Sequence, residues 1–264
     1  MRLIALLASL AGAYALRAPN RCVNNGNVAL VFSDGPVQTT PELIDTLDAE
    51  SVSATFMFSI VNIDHPGVAE TICMAVEGGH TVGLRTNPIY DFKDMQEDEI
   101  KEAILMELTV LEEIAKIRIG YISINQEDTS DATVLKVIDE LDLVLVCYNY
   151  DMYGSSDDAD EMLGRWNLKL KSIRPQSTSY IVLQHDQKES ELGLVPELIS
   201  SGASSGFTFV NMEECLAGAT MDGSGASGGG SGCKEPITRR DFSKKNSAMA
   251  PITSLACAAL LLVL

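Results

Sequence analysis

Histidine is scarce in this chain: His65, His80 and His185 are the only three among 264 residues. That leaves little room for zinc chemistry built on imidazole ligands. Basic side chains are also few, 19 against 37 acidic ones, for a net charge of −18. Such a surface repels phosphate backbones and excludes nucleic acid as a partner. Long hydrophobic runs are missing as well, since neither apolar end reaches the roughly 20 residues that a membrane-spanning helix needs. No Asn-x-Ser/Thr glycosylation sequon occurs in the sequence. What is present in quantity is apolar side chain, 46% of the residues, enough for a globular domain with a sizeable core.

The two ends read as processing signals. Arg2, the apolar run 3–10 and the small-x-small triplet Ala13-Tyr14-Ala15 form a secretory signal peptide over residues 1–15; the competing reading is an apolar amino-terminal strand. Asn246-Ser247-Ala248, a short spacer and the uncharged run 255–264 form a glycosylphosphatidylinositol (GPI) attachment signal. Asn246 is the expected attachment residue and Ser247 the alternative, with residues 247–264 removed; the competing reading is a buried carboxy-terminal helix. The processed chain is then lipid-held on the outer face of the plasma membrane. Between the fold and that anchor, residues 218–246 form a flexible Gly/Ser-rich stalk that ends in Arg239, Arg240, Lys244 and Lys245. The folded domain is expected over residues 16–217. Loss of Cys257 with the tail leaves Cys22, Cys73, Cys147, Cys215 and Cys233, an odd number in a compartment that permits disulfides.

Within the domain, short β-branched or aromatic runs (28–32, 54–58, 143–147, 180–183, 207–210) alternate with helical patterns (42–47, 100–115, 133–141). In the second helix Ile100, Ile104, Leu108, Leu111 and Ala115 share a face, and Glu97 stands four residues before Lys101. The alternation predicts an α/β fold with parallel strands and crossover helices, either an open sheet or a closed barrel.

Five segments carry a family resemblance. Val28–Pro36 (VALVFSDGP), Ala54–Phe58 (ATFMF), Gly79–Gly83 (GHTVG), Arg118–Tyr121 (RIGY) and Ile181–Asp186 (IVLQHD) follow one another as do the motifs of NodB-like polysaccharide deacetylases, carbohydrate esterase family four. The chain most resembles the GPI-anchored fungal-type chitin deacetylases of that family. The resemblance implies a distorted (β/α) barrel with the site at the carboxyl ends of the strands. It also implies a Cys22–Cys215 disulfide, leaving Cys73 and Cys147 as buried apolar thiols.

In that family one aspartate and two histidines hold a divalent metal, a second aspartate is the general base, and a later histidine is the acid. By the resemblance, Asp34 is the one surviving ligand position. Arg85 and Ile89 stand where the histidines belong, and neither binds zinc. Ser33 replaces the base and has no pKa near neutrality. The orienting-carboxylate motif begins at Asp151 but continues with Gly154 and Ser155. The remnant pocket is therefore expected to comprise Ser33, Asp34, Arg85, Ile89, Arg118, Tyr121, Asp151, Leu183 and His185, with none of the catalytic set intact. Arg85 either pairs with Asp34 in place of the metal or points to solvent. Arg118 is expected to turn to Asp34 now that Ser33 has replaced its family partner; His65 and His80 are expected to be structural.

These substitutions imply a deacetylase homologue without activity and without cofactor, monomeric, acting in wall structure or glycan binding in a chitin-containing cell or spore wall. The alternative is a divergent chitin deacetylase that uses zinc or cobalt. Removing Arg2 with the signal makes the chain more acidic still, so cationic chitosan suits it as a partner better than neutral chitin.

Overall fold

Val28-Ala29-Leu30-Val31-Phe32 is apolar at every position, which marks a strand covered on both faces rather than one with a wet side. These residues form the centre of β1 (Asn27–Ser33) and are all buried. The computed structural model describes residues 18–152, 158–187 and 192–217. Signal peptide, stalk, GPI signal, Asn246, Ser247, Cys233, Gly154 and Ser155 lie outside the described residues.

Seven further strands complete the sheet: β2 (Thr55–Phe58), β3 (Thr81–Arg85), β4 (Tyr121–Ser123), β5 (Val144–Leu145), β6 (Tyr150–Asp151), β7 (Tyr180–His185) and β8 (Thr208–Val210). Their order is β5-β4-β3-β2-β1-β7-β6, with β8 beside the first residues of β1. All pairings are parallel. The sheet curls into a half-barrel with β5 and β6 at its two edges, and this settles the choice that alternation left open in favour of the distorted (β/α) barrel.

Seven α-helices are described: α1 (Thr40–Ala49), α2 (Val68–Glu77), α3 (Glu97–Ala115), α4 (Ala132–Glu140), α5 (Ala159–Ser172), α6 (Val195–Ser204) and the single turn α7 (Met212–Cys215). Ile100, Ile104, Leu108, Leu111 and Ala115 of α3 are all buried, as their spacing predicts. The expected Glu97–Lys101 pairing within α3 is replaced by bridges to α4. Lys136 Nζ donates to both Glu97 oxygens at 2.6 and 2.7 Å, and Lys101 Nζ donates to Glu140 at 2.8 Å. Packing of α4 beside α3 brings partners nearer than one turn of a single helix does.

Alternation sorts the strand residues onto two faces. Ala29, Val31, Met57, Val144, Val146 and Ile181 join one buried cluster that also holds the Cys22–Cys215 disulfide. Phe32, Phe56 and Phe58 belong to the other face, where they stack in series and His80 meets Phe56 edge-on. His80 Nδ1 accepts from the Ala54 amide at 3.0 Å, and burial pushes its pKa down against the opposing pull of Asp48. It braces the barrel from outside.

Candidate functional site

Register sets the site at the carboxyl ends of the strands. Ser33 of β1 is paired with Met57 of β2 and with His185 of β7, while Arg85 of β3 is paired with Ser123 of β4. Around them lies a cavity of about 230 Å³. Its polar lining comes from Ser33, Asp34, Arg85, Ser123, Gln126, Thr129, Tyr148 and His185; Val31, Met57, Val146, Ile181 and Leu183 are among its apolar lining.

Asp34 directly follows β1 with a φ of 76°, a left-handed conformation that a short polar residue tolerates better than most. Its carboxylate is held from two sides. Arg85 Nε donates to Oδ1 at 2.9 Å, and His185 Nδ1 lies 2.7 Å from Oδ2. Burial opposes the charge on Asp34, but the His185 hydrogen bond and the Arg85 cation outweigh it and hold the carboxyl below its ordinary pKa. Asp34 is therefore ionised at neutral pH.

Arg85 is itself fixed. Nη2 donates to Asn125 Oδ1 at 2.8 Å and Nη1 to the Thr86 carbonyl at 3.3 Å. Asn125 in turn donates to the carbonyls of Pro88 and Tyr90, at 3.2 and 3.1 Å. The loop after β3 is thus tied to the loop after β4 through one guanidinium. Glu107 of α3 supports the same loop from inside, accepting from the Asn87 amide at 3.2 Å on both oxygens. It is 1% exposed, and burial raises its pKa to about 7 despite the Asn87 amide and the Arg85 charge.

A second carboxylate lies under the Asp34-Gly35-Pro36 turn. Asp186 Oδ2 accepts from Thr40 Oγ1 at 2.6 Å, and burial raises Asp186 to about 6. A Cβ at position 35 would stand 1.8 Å from that oxygen, so only glycine fits beneath the turn.

The remaining expected pocket residues are dispersed. Arg118 precedes β4 and sits at the amino-terminal end of that strand, opposite the site; its Nη2 donates to Asp142 at 3.1 Å near the surface. The expected turn of Arg118 to Asp34 does not occur. Tyr121 opens β4 and packs on the interior cluster rather than lining the cavity; burial, with the Glu213 charge adding to it, raises its hydroxyl to about 12. Ile89 is 66% exposed on the loop after β3. Asp151 ends β6 beside Leu183 and lies outside the cavity lining. Cys73 and Cys147 are half-buried rather than buried, against the expectation, and Cys147 lines the cavity. Asn125, Gln126, Ser123 and Glu107 were absent from the sequence-based set. Only Glu107 carries a signal there, an acid within the apolar stripe of an amphipathic helix.

These donors do not suit a divalent metal. Asp34 Oδ1 already takes the Arg85 N–H and Oδ2 faces His185, so a guanidinium stands where a cation would bind. Among the described residues, no group of three or more His, Cys, Asp or Glu side chains is placed to hold a metal ion.

Residues 20–146 match the family model described as polysaccharide deacetylase. A chitin deacetylase of Colletotrichum lindemuthianum is 28% identical over 215 residues, 75% of this chain and 83% of that protein. The structure of the chitin deacetylase from that fungal pathogen superposes with a TM-score of 0.70 at 26% identity, covering 78% of this chain and 93% of that one. A CE4 family pseudoenzyme from Bacillus anthracis shares the fold, with a TM-score of 0.62 at 19% identity over 73% of this chain and 66% of that one. The half-barrel, the strand-end position of Asp34 and these matches agree: the folded domain belongs to the polysaccharide deacetylase (NodB, CE4) family.

Proposed function

We propose that this chain is a chitin-deacetylase-like protein that has lost metal-dependent deacetylation and serves wall structure or glycan binding in a chitin-containing cell or spore wall. The Arg85–Asp34 contact carries the reading. It satisfies the aspartate with a fixed cation and keeps the strand ends together, which a divalent metal would otherwise do. Ser33 supplies no general base beside it. The pseudoenzyme from Bacillus anthracis, one mutant of which has restored enzymatic activity, is a precedent for such a loss on this fold.

Location and partner are part of the proposal. The amino-terminal apolar run and the small-residue carboxy-terminal signal support secretion and GPI anchoring to the outer leaflet, with the chain a monomer at the interface of membrane and wall. A net charge of −18 favours a cationic glycan such as chitosan over neutral chitin.

The test is a paired measurement on the full chain. Wild-type protein is expected to contain no stoichiometric zinc or cobalt by elemental analysis and to release no acetate from N-acetylglucosamine oligomers. The triple variant Ser33→Asp, Arg85→His, Ile89→His is expected to gain both. Metal-dependent acetate release by the wild type would overturn the reading in favour of a divergent chitin deacetylase.

A further inference from the structure

Replacing the family's base and metal ligands has left an arrangement suited to other chemistry. Ser33 and His185 are register partners on adjacent parallel strands, and both line the cavity. Such strands lie about 4.7–4.9 Å apart, so the paired positions bring a hydroxyl and an imidazole to the same wall of the cavity. Asp34 grips the imidazole by Nδ1, at 2.7 Å. A carboxylate on Nδ1 fixes that nitrogen as the donor and leaves Nε2 as the basic end of the ring. A hydroxyl, an imidazole and an orienting carboxylate thus share one cavity wall, the three groups that hydrolases without a metal use.

We propose that Ser33, His185 and Asp34 form a metal-independent acyl-transfer site that hydrolyses esters of short acyl chains. This goes beyond the loss of metal-dependent deacetylation and does not rest on it.

The neighbours of the three residues fit that role. Arg85 keeps Asp34 ionised, and its hydrogen bonds to Asp34, Asn125 and Thr86 leave guanidinium N–H groups over for a developing oxyanion. The apolar part of the lining, with Val31, Met57, Val146 and Ile181, accepts a short hydrocarbon chain. In the acylation step Ser33 Oγ bonds to the acyl carbon while its proton passes to His185 Nε2. The C–O bond to the alcohol then breaks, and the imidazolium returns the proton to the departing oxygen. Water repeats the sequence on the acyl-serine, releasing the carboxylic acid and restoring Ser33.

The experiment uses the full chain with p-nitrophenyl butyrate and a fluorophosphonate probe, in EDTA throughout. The expected result is steady p-nitrophenol release, a covalent adduct on Ser33 located by peptide mass spectrometry, and a loss of about 100-fold in rate for Ser33→Ala and for His185→Ala. Absence of a Ser33 adduct overturns the proposal, and that readout is taken on wild type, so it does not depend on a variant folding. Hydrolysis that survives Ser33→Ala also overturns it. Acetate release that needs metal would instead count against the loss of deacetylation, so the two failures are told apart.

Discussion

Arg85, at the end of β3, reaches past β2 to place its Nε 2.9 Å from Oδ1 of Asp34 at the end of β1. The bond joins strands that share no backbone ladder, and with the His185 contact it satisfies the Asp34 carboxylate.

Removing the guanidinium leaves that carboxylate with His185 alone. Side-chain exposures of 13% and 25% for Arg85 and Asp34 place the pair between the buried and the surface case. Arg85→Ala is expected to lower stability by about 1–3 kcal/mol, and Arg85→Lys to recover only part of it, because an ammonium cannot hold Asp34 and Asn125 together as the fork does. The folded pKa of Asp34 lies below its ordinary value of 3.8, so the pair's contribution is present in full above that pH and is lost as pH falls through the lowered value. Urea unfolding of wild type and both variants at pH 7 and pH 3 checks this; equal stability of wild type and Arg85→Ala at pH 7 would count against it.

Much of the barrel was legible because its central strands are continuous apolar runs and the family motifs sit at their ends. Strands β3, β4 and β6 carry no such run. β3 is interrupted by Gly83, against which the Met57 side chain packs, and β4 and β6 have only three and two residues. Within the site, sequence order located Asp34, Ser33 and His185 correctly at strand ends. It misplaced Arg118, because three residues ahead of a short strand is the opposite end of the barrel. Asn125 could not have been found at all: it meets Arg85 across 40 residues of chain, and a lone asparagine in a loop has no periodicity to betray it.

Glu107 is the acid that periodicity marks as out of place, and its burial makes stability depend on pH. Its folded pKa of about 7 lies above the ordinary value of 4.5. A raised value means that the folded state holds the proton more tightly; the stabilisation is complete below pH 4.5 and disappears as pH rises through 7. Glu107→Gln keeps an acceptor for the Asn87 amide and removes the titration. The variant is expected to equal wild type near pH 4.5 and to exceed it by a few kcal/mol at pH 8. Chemical denaturation across that range decides the matter, since two parallel profiles would show that Glu107 does not titrate in this window. Asp186, also raised, contributes equally to both proteins and cancels in the difference.

Gly35 is expected to tolerate no side chain, for a reason of space rather than backbone conformation. The added Cβ of Gly35→Ala would fall 1.8 Å from Asp186 Oδ2 and 2.5 Å from its Cγ, inside any permissible contact. Relief requires Asp186 to leave its bond with Thr40, or the Asp34 turn to lift away from β7. Either movement separates Asp34 from His185, so the cost should appear both as about 1–3 kcal/mol of stability and as a weakened site. Asp186→Ala removes the obstructing carboxylate, and its Thr40 acceptor with it. In a double-mutant cycle the two changes should therefore cost less together than the sum of their separate costs. Thermal unfolding of the four proteins measures the coupling, and strict additivity would mean that the turn relaxes without touching Asp186.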